Sequence, residues 1–291
     1  MKKGILVLLL ISVLLISVVI FIECANNGEY IENNGEIYAA VDVDNGESEF
    51  SAEEQDTPDT LEIPEYITIR GQQISTEATL LLLEDDYLTN ADIEPLRYMV
   101  NLETLYITPQ THGMNLMISD LSPLAGLTNL TTLGFNANQI RDITPLAGLT
   151  NLTELNLFGN QINDITPLAG LTNLQGLALS FNPISDITPL MGLTNLERLF
   201  LLGNQVYDIT PLTELTNLKW LMMANNEISD ITPLTGLTEL QRLGINGNRI
   251  SDISVLTGLT NLEEVRVTPN PVSMGQIREL REALPNAEID N

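Results

Sequence analysis

Few residues in this 291-residue chain are spaced to make or break bonds. The only histidine, His112, has no nucleophile and no metal-ligand partner at a recognisable spacing. No glycine loop of the phosphate-cradling kind is present. Adjacent carboxylates such as Asp85-Asp86 and Glu263-Glu264 read as solvated side chains and not as an acid/base pair. Asp142, Asp164, Asp186, Asp208, Asp230 and Asp252 recur every 22 residues. A row of carboxylates could hold calcium. No further ligands cluster at each turn, so these aspartates are expected to accept backbone N–H bonds. The chain is therefore read as a non-enzyme that needs no metal and no cofactor.

The asparagines carry a stronger signal. Asn138, Asn160, Asn182, Asn204, Asn226, Asn248 and Asn270 are spaced at 22 without a slip. Each ends a short alternation of the kind Leu155, Asn156, Leu157, Phe158. Apolar residues at period two mark a strand. An asparagine turned inward at the strand end can bond backbone groups that the turn leaves unpaired. Losing such a partner typically costs about 1–3 kcal/mol.

The elements that must position these residues follow from the unit LTNL-x-x-L-x-L-x-x-N-x-I-x-DITPL-x-G. One short strand cannot bury its apolar side alone, but stacked copies form a parallel sheet over a continuous Leu/Ile core. Each buried Leu or Ile contributes roughly 1.5–3 kcal/mol. The period and the L-x-x-L-x-L-x-x-N pattern are a leucine-rich repeat signature. In the DITPL segments, Thr144-Pro145, Thr166-Pro167, Thr188-Pro189, Thr210-Pro211 and Thr232-Pro233 read as helix starts, with threonine as N-cap and proline at the first helical position. There is room for only about one turn of 3-10 helix. The predicted fold is an α/β repeat solenoid. It is a horseshoe with a concave parallel β-sheet, short 3-10 turns on the convex side and a C-terminal capping helix.

The register extends to both ends. Ile277, Leu280 and Leu284 recur at helical spacing after Ser273, and Pro285 stops the helix. Ala287 to Ile289 fall on the next strand position. Upstream, Leu105 to Ile107 and Leu81 with Leu83 give strands, with Asp86 at the ladder position, and Ile67 to Ile69 begin a cap. The repeat domain is placed at 67–291, with about nine strands and its C-terminal cap at 271–291. One unit is longer than the others. Six extra residues within Thr108 to Asn115, His112 among them, form a loop that is either a harmless surface excursion or part of a binding face.

Residues 1–24 read as a signal peptide or an N-terminal membrane anchor. Lys2 and Lys3 precede 19 apolar or small residues, Gly4 to Ile22. As a helix these span about 28 Å, close to the roughly 30 Å hydrocarbon core. Cys24, the only cysteine, follows directly and is a candidate lipidation site, so no intrachain disulfide can form. Phe21, Ile22 and Glu23 replace the small residues expected before a lipidated cysteine. A lipoprotein, an uncleaved anchor and a released protein therefore remain three readings. In each, the two lysines favour a cytoplasmic N-terminus and an exported remainder at the membrane or cell surface. Residues 25–66 hold thirteen acidic residues and no Lys or Arg. High charge with low hydrophobicity reads as a disordered linker. The net charge of −27 argues against nucleic acid and against the repeats lying on an anionic membrane.

Within the repeats, positions that the fold needs are constant, and positions flanking the Leu pair vary. Phe200, Leu202, Trp220 and Met222 fall on adjacent strands about 4.8 Å apart. Phe158 lies two strands away, and Arg198 and Arg242 flank the group. Solvent-facing aromatics and methionine beside arginine are the usual make-up of an interaction hot spot. These seven residues are the candidate partner-binding site on the concave face. A second copy of the chain is the alternative cover, a monomer being the first expectation.

With the LTNL and DITPL segments, the Asn ladder and the ending Leu280-Arg281-Glu282-Ala283-Leu284-Pro285-Asn286 in hand, the chain resembles the internalin-type leucine-rich repeats of Gram-positive bacterial surface proteins. The resemblance implies a concave sheet used for protein partners such as host receptors. Two family features are missing after the repeats: an LPxTG-like wall-anchoring signal and an immunoglobulin-like domain. The leading expectation is an exported, membrane-tethered protein that recognises a protein partner. The competing one is a structural or glycan-binding protein of the cell envelope.

Overall fold

The computed structural model describes residues 63–109 and 117–290, and the backbone of residues 38–40. The apolar N-terminal segment, Cys24, most of the acidic linker and the insertion around His112 lie outside the described residues. Strand β1 (Tyr38–Ala40) pairs antiparallel with β4 (Leu80–Glu84). Between them in sequence, β2 (Tyr66–Ile69) and β3 (Gln72–Ser75) form an antiparallel hairpin. From β4 onward, ten parallel strands succeed one another in sequence order. They are β4, β5 (Thr104–Thr108), β6 (Thr132–Phe135), β7 (Glu154–Asn156), β8 (Gly176–Ala178), β9 (Arg198–Phe200), β10 (Trp220–Met222), β11 (Arg242–Gly244), β12 (Glu264–Arg266) and β13 (Glu288–Ile289).

The strict spacing becomes strict register. Leu133, Leu155, Leu177, Leu199, Leu221, Leu243 and Val265 stand side by side across the sheet. Each is at most 2% exposed. Leu157, Ile162, Ile165, Leu168, Leu171 and Leu174 complete the inward set of one unit, all buried. Repetition of that set makes a single apolar core along the array.

The polar ladder runs through this core. Asn204 Oδ1 accepts the Ile184 N–H at 3.2 Å. Its Nδ2 donates to the carbonyls of Leu179 and Leu201 at 3.1 and 3.0 Å. Asn160, Asn182 and Asn226 make the same three contacts in their own units. Asn138, at the start, accepts from Ile118 and donates within its own turn. Asn138 to Asn226 are buried, whereas Asn248 and Asn270 are half-buried with equivalent bonds. A second, exposed asparagine ladder runs along the LTNL segments. Asn129, Asn151, Asn173, Asn195, Asn217 and Asn261 each donate to a carbonyl of the preceding unit at 2.9–3.0 Å.

The return side is one turn of 3-10 helix per unit, as at Thr144–Leu146, Thr166–Leu168 and Thr188–Leu190. The N-cap falls one residue earlier than the sequence expectation, at isoleucine, and the accepting side chain two residues earlier. Threonine is the first helical residue and proline the second, and the capping acceptor is the preceding aspartate. Asp142, Asp164, Asp186, Asp208 and Asp230 each accept the N–H two residues on at 2.8–2.9 Å. A carboxylate reaching forward over one intervening residue closes an Asx turn, which threonine in the helix cannot do. Bonds from the threonine hydroxyl, and then from its N–H, hold Asp142, Asp164, Asp186 and Asp208 below the usual aspartate value.

Both ends of the core are covered. Ile67, Ile69 and Ile74 of the hairpin are buried at one end. At the other, α1 (Met274–Ala283) starts at a capping box, with Ser273 Oγ accepting from Gln276 N–H and Gln276 Oε1 accepting from Ser273 N–H, both at 3.3 Å. It buries Ile277 and Leu280 on the last unit. Among the described residues, no helix is long and apolar enough to cross a membrane.

Candidate functional site

The side of the sheet away from the core carries the residues that vary from unit to unit. Strand periodicity puts Glu154, Asn156 and Phe158 on that face of β7, and the register repeats the three positions on every strand. Trp220, Met222, Leu202, Phe158, Arg198 and Arg242 are all half-buried there. Phe200 differs from the expectation of a solvent-facing ring, being only 6% exposed. It lies between Ala178 and Met222 in the register, with Arg198 and Leu202 before and after it on the same face, so four neighbours surround it. The ring supports the surface more than it presents one.

The face is packed within itself by a simple rule: a large side chain of one unit lies over a glycine of the next. A Cβ on Gly134 would lie 2.1 Å from the Tyr106 ring. A Cβ on Gly176 would lie 2.0 Å from Glu154 Oε2, and one on Gly244 2.7 Å from Met222 Sδ. Glycines in these columns are therefore seats for neighbours and not gaps in the face.

The seated side chains make specific contacts. Tyr106 Oη accepts from Asn156 Nδ2 at 2.7 Å and from Asn136 Nδ2 at 3.1 Å, which joins three strands in one polar cluster. Glu154 reaches across Gly176 to accept from Arg198 Nη2 at 2.5 Å. Burial pushes the Glu154 carboxyl above its usual value, and Arg198 draws it down without cancelling that rise. Arg242 Cζ sits 4.8 Å from the centroid of the Trp220 ring. Glu264 takes Arg266 Nε at 2.7 Å and lies 3.9 Å from Arg242 Nε.

One element of the surface was not singled out from sequence. Phe181 is 40% exposed and packs edge-on to Phe158, with ring centroids 5.2 Å apart. Its φ is +56°, in the left-handed region. The residue before each ladder asparagine shares that conformation from Ala137 to Gly247, where Gly159, Gly203 and Gly247 alternate with Ala137, Phe181 and Asn225. Here too the larger side chains seat on glycine: a Cβ on Gly203 would lie 2.9 Å from the Phe181 ring. A bulky residue at positive φ costs roughly 1–2 kcal/mol. The alternation of that column with glycine is visible in the sequence and was the available signal. Among the described residues, no group of three or more His, Cys, Asp or Glu side chains is placed to share a metal ion.

The face thus combines an aromatic pair at Phe158 and Phe181 with a Trp–Arg stack at Trp220 and Arg242. Leu202 continues the column of Phe158, and Met222 follows Trp220 on the same face of β10. The profile described as Leucine Rich repeats (2 copies) matches residues 128–170, 150–190, 172–215 and 216–258. Among solved structures, internalin C2 from Listeria monocytogenes is 38% identical, over 68% of this chain and 86% of that one, with a TM-score of 0.61. A leucine-rich repeat protein of Leptospira interrogans is 28% identical, over 68% of this chain and 51% of that one, also with a TM-score of 0.61. TLR13, solved in complex with ssRNA13, is 24% identical over 70% of this chain and 30% of its own, with a TM-score of 0.56, a likeness of fold alone. No curated protein sequence matches the chain.

Proposed function

Because the chain belongs to the internalin-type leucine-rich repeat family, we propose that it is an exported, membrane-tethered protein that recognises a protein partner through the open face of its sheet. The observation that carries this reading is the contrast within each unit. Core leucines, ladder asparagines and turn aspartates are constant, while the exposed columns assemble Trp220, Arg242, Met222, Leu202, Phe158 and Phe181 on neighbouring strands. Aromatic and arginine side chains held by their neighbours are the make-up of interface anchors, because little rotamer entropy is left to lose on binding. Lys2, Lys3 and the apolar run Gly4 to Ile22 support export, and Cys24 or that run itself supplies the tether. The acidic residues of 25–66 then serve as a spacer between membrane and repeats. The net charge of −27 favours a protein over a nucleic acid as partner.

The test is affinity capture from envelope extracts and host-cell lysates, followed by identification of the retained protein and measurement of its Kd with purified components. A Trp220→Ala/Met222→Ala chain with an unchanged melting curve serves as control. A purified partner bound by the wild type and weakened at least about tenfold by the control supports the reading. Purified wall polymer bound in place of any protein, and lost on Trp220→Ala, would transfer the face to glycan recognition.

A further inference from the structure

From the geometry of the Trp220–Arg242 corner we infer that this part of the face takes one carboxylate side chain, an Asp or Glu, of a partner surface that is otherwise neutral or basic. The inference rests on the recognition reading above and specifies its chemistry. Three arginines project from the open face of β9 to β12: Arg198, Arg242 and Arg266. Arg198 is hydrogen-bonded to Glu154 and Arg266 to Glu264. Arg242 alone of the three makes no side-chain hydrogen bond among the described residues; its nearest acidic atom is Glu264 Oε2, 3.9 Å from Nε. Its guanidinium carbon lies over the Trp220 ring, which restrains the side chain. A stacked guanidinium keeps its donors directed along its edge, away from the ring, in the fork that matches a carboxylate. The Arg242 side chain is 42% exposed, so the fork is reachable from solvent.

Charge decides how much anion the corner accepts. Arg242 and Arg266 share Glu264, and Glu288 stands beside Glu264 in the register, so the corner is close to neutral although the Arg242 fork makes no hydrogen bond among the described residues. Residues 67–291 hold 25 Asp and Glu against 10 Lys and Arg. The fork takes one carboxylate, whereas a polyanion brings further charges within about 8–10 Å of Glu264 and Glu288, where screening is incomplete. The residues flanking the partner's carboxylate must therefore be uncharged or basic. The floor beside the fork is apolar, since Met222 lies over Gly244, and it favours an apolar neighbour next to the acid.

The experiment pans a random linear-peptide library, displayed with no free carboxyl terminus, on the immobilised full-length chain. Peptides selected by the wild type should carry one Asp or Glu at a fixed position beside an apolar residue. For a selected peptide, Arg242→Gln should raise Kd about tenfold, and Arg242→Lys should recover only part of that loss because charge returns without the fork. The peptide's Asp→Asn version should lose the same factor on the wild type and nothing further on Arg242→Gln. Arg242→Glu should select a basic residue at that position. Peptides that depend on Met222 and Leu202 but show no preferred acid, or whose Asp→Asn loss persists on Arg242→Gln, would overturn the inference and leave the recognition reading standing. If no peptide is selected, the inference falls and protein capture still decides the recognition reading; if binding ignores every open-face substitution, both fall together.

Discussion

Replacing Asn204 by alanine tests the ladder where the array is most regular. Four bonds meet at this side chain: Oδ1 accepts from Ile184 N–H, and Nδ2 donates to the carbonyls of Leu179, Leu201 and, at 3.4 Å, Leu202. The loss is smaller than four bonds. The Leu179 carbonyl also accepts from Asn182 at 3.0 Å, and the Leu201 carbonyl from Asn226 at 2.8 Å. Each ladder amide thus backs up its neighbours, and only the Ile184 N–H loses its acceptor. One stranded N–H at a fully buried residue costs about 1–3 kcal/mol. Urea unfolding should show a lower midpoint with an unchanged slope. Amide exchange adds the location: the Ile184 amide should exchange faster, while that of Ile228, held by Asn248, should not change. An unaltered midpoint with Ile184 still protected would refute the reasoning, because it would mean the turn satisfies that N–H without the asparagine.

Three further outcomes follow from the same contacts. Gly134→Ala should destabilise by about 1–3 kcal/mol, because the new methyl displaces the Tyr106 ring; thermal melts should show no added loss when it is combined with Tyr106→Ala, and an additive loss would count against the seat. Gly203→Ala, at φ +66° and against the Phe181 ring, should cost about 1–2 kcal/mol, whereas Gly192→Ala, with open space around it, should stay within about 0.5 kcal/mol; equal melting shifts would sink the distinction. Asp186 is held below its ordinary value by Thr188, so its carboxylate stabilises the fold fully above the unfolded value of about 3.9 and less as pH falls through the lower folded value. The gap in urea midpoint between wild type and Asp186→Asn should therefore be present at about pH 7 and close toward about pH 2, and a gap that ignores pH would contradict the assignment.

Much of the framework was legible because repetition supplies its own controls. A residue recurring at 22 marks a structural demand, so the strands, the 3-10 turns and the terminal helix could be read directly. The cap of the DITPL turn was misplaced because aspartate and threonine recur together, and spacing alone does not show which oxygen reaches the open N–H. The LTNL asparagines were passed over as ladder members because they lie on the exposed side, where a hydrogen bond leaves no trace in burial pattern. The varied columns were harder. Their alternation identifies which side chains leave the core, but it does not show how they lean. Phe200 was read as exposed because crowding by Met222, Arg198 and Leu202 is a three-dimensional fact. Phe181 was missed because strand periodicity ends one residue before it, at the left-handed position.

The seating of each large side chain on the next unit's glycine sets the grain at which this surface can change. In the column before the ladder asparagines, the order Ala137, Gly159, Phe181, Gly203, Asn225, Gly247 has a period of two units. Loss or duplication of a single 22-residue unit would keep the core in register but could set two bulky residues side by side, or two glycines. Exchange of two units at a time preserves the core and the seats of this column. A lineage that lengthens or shortens this array should therefore do so in pairs, so the number of strands and the character of the face are coupled quantities.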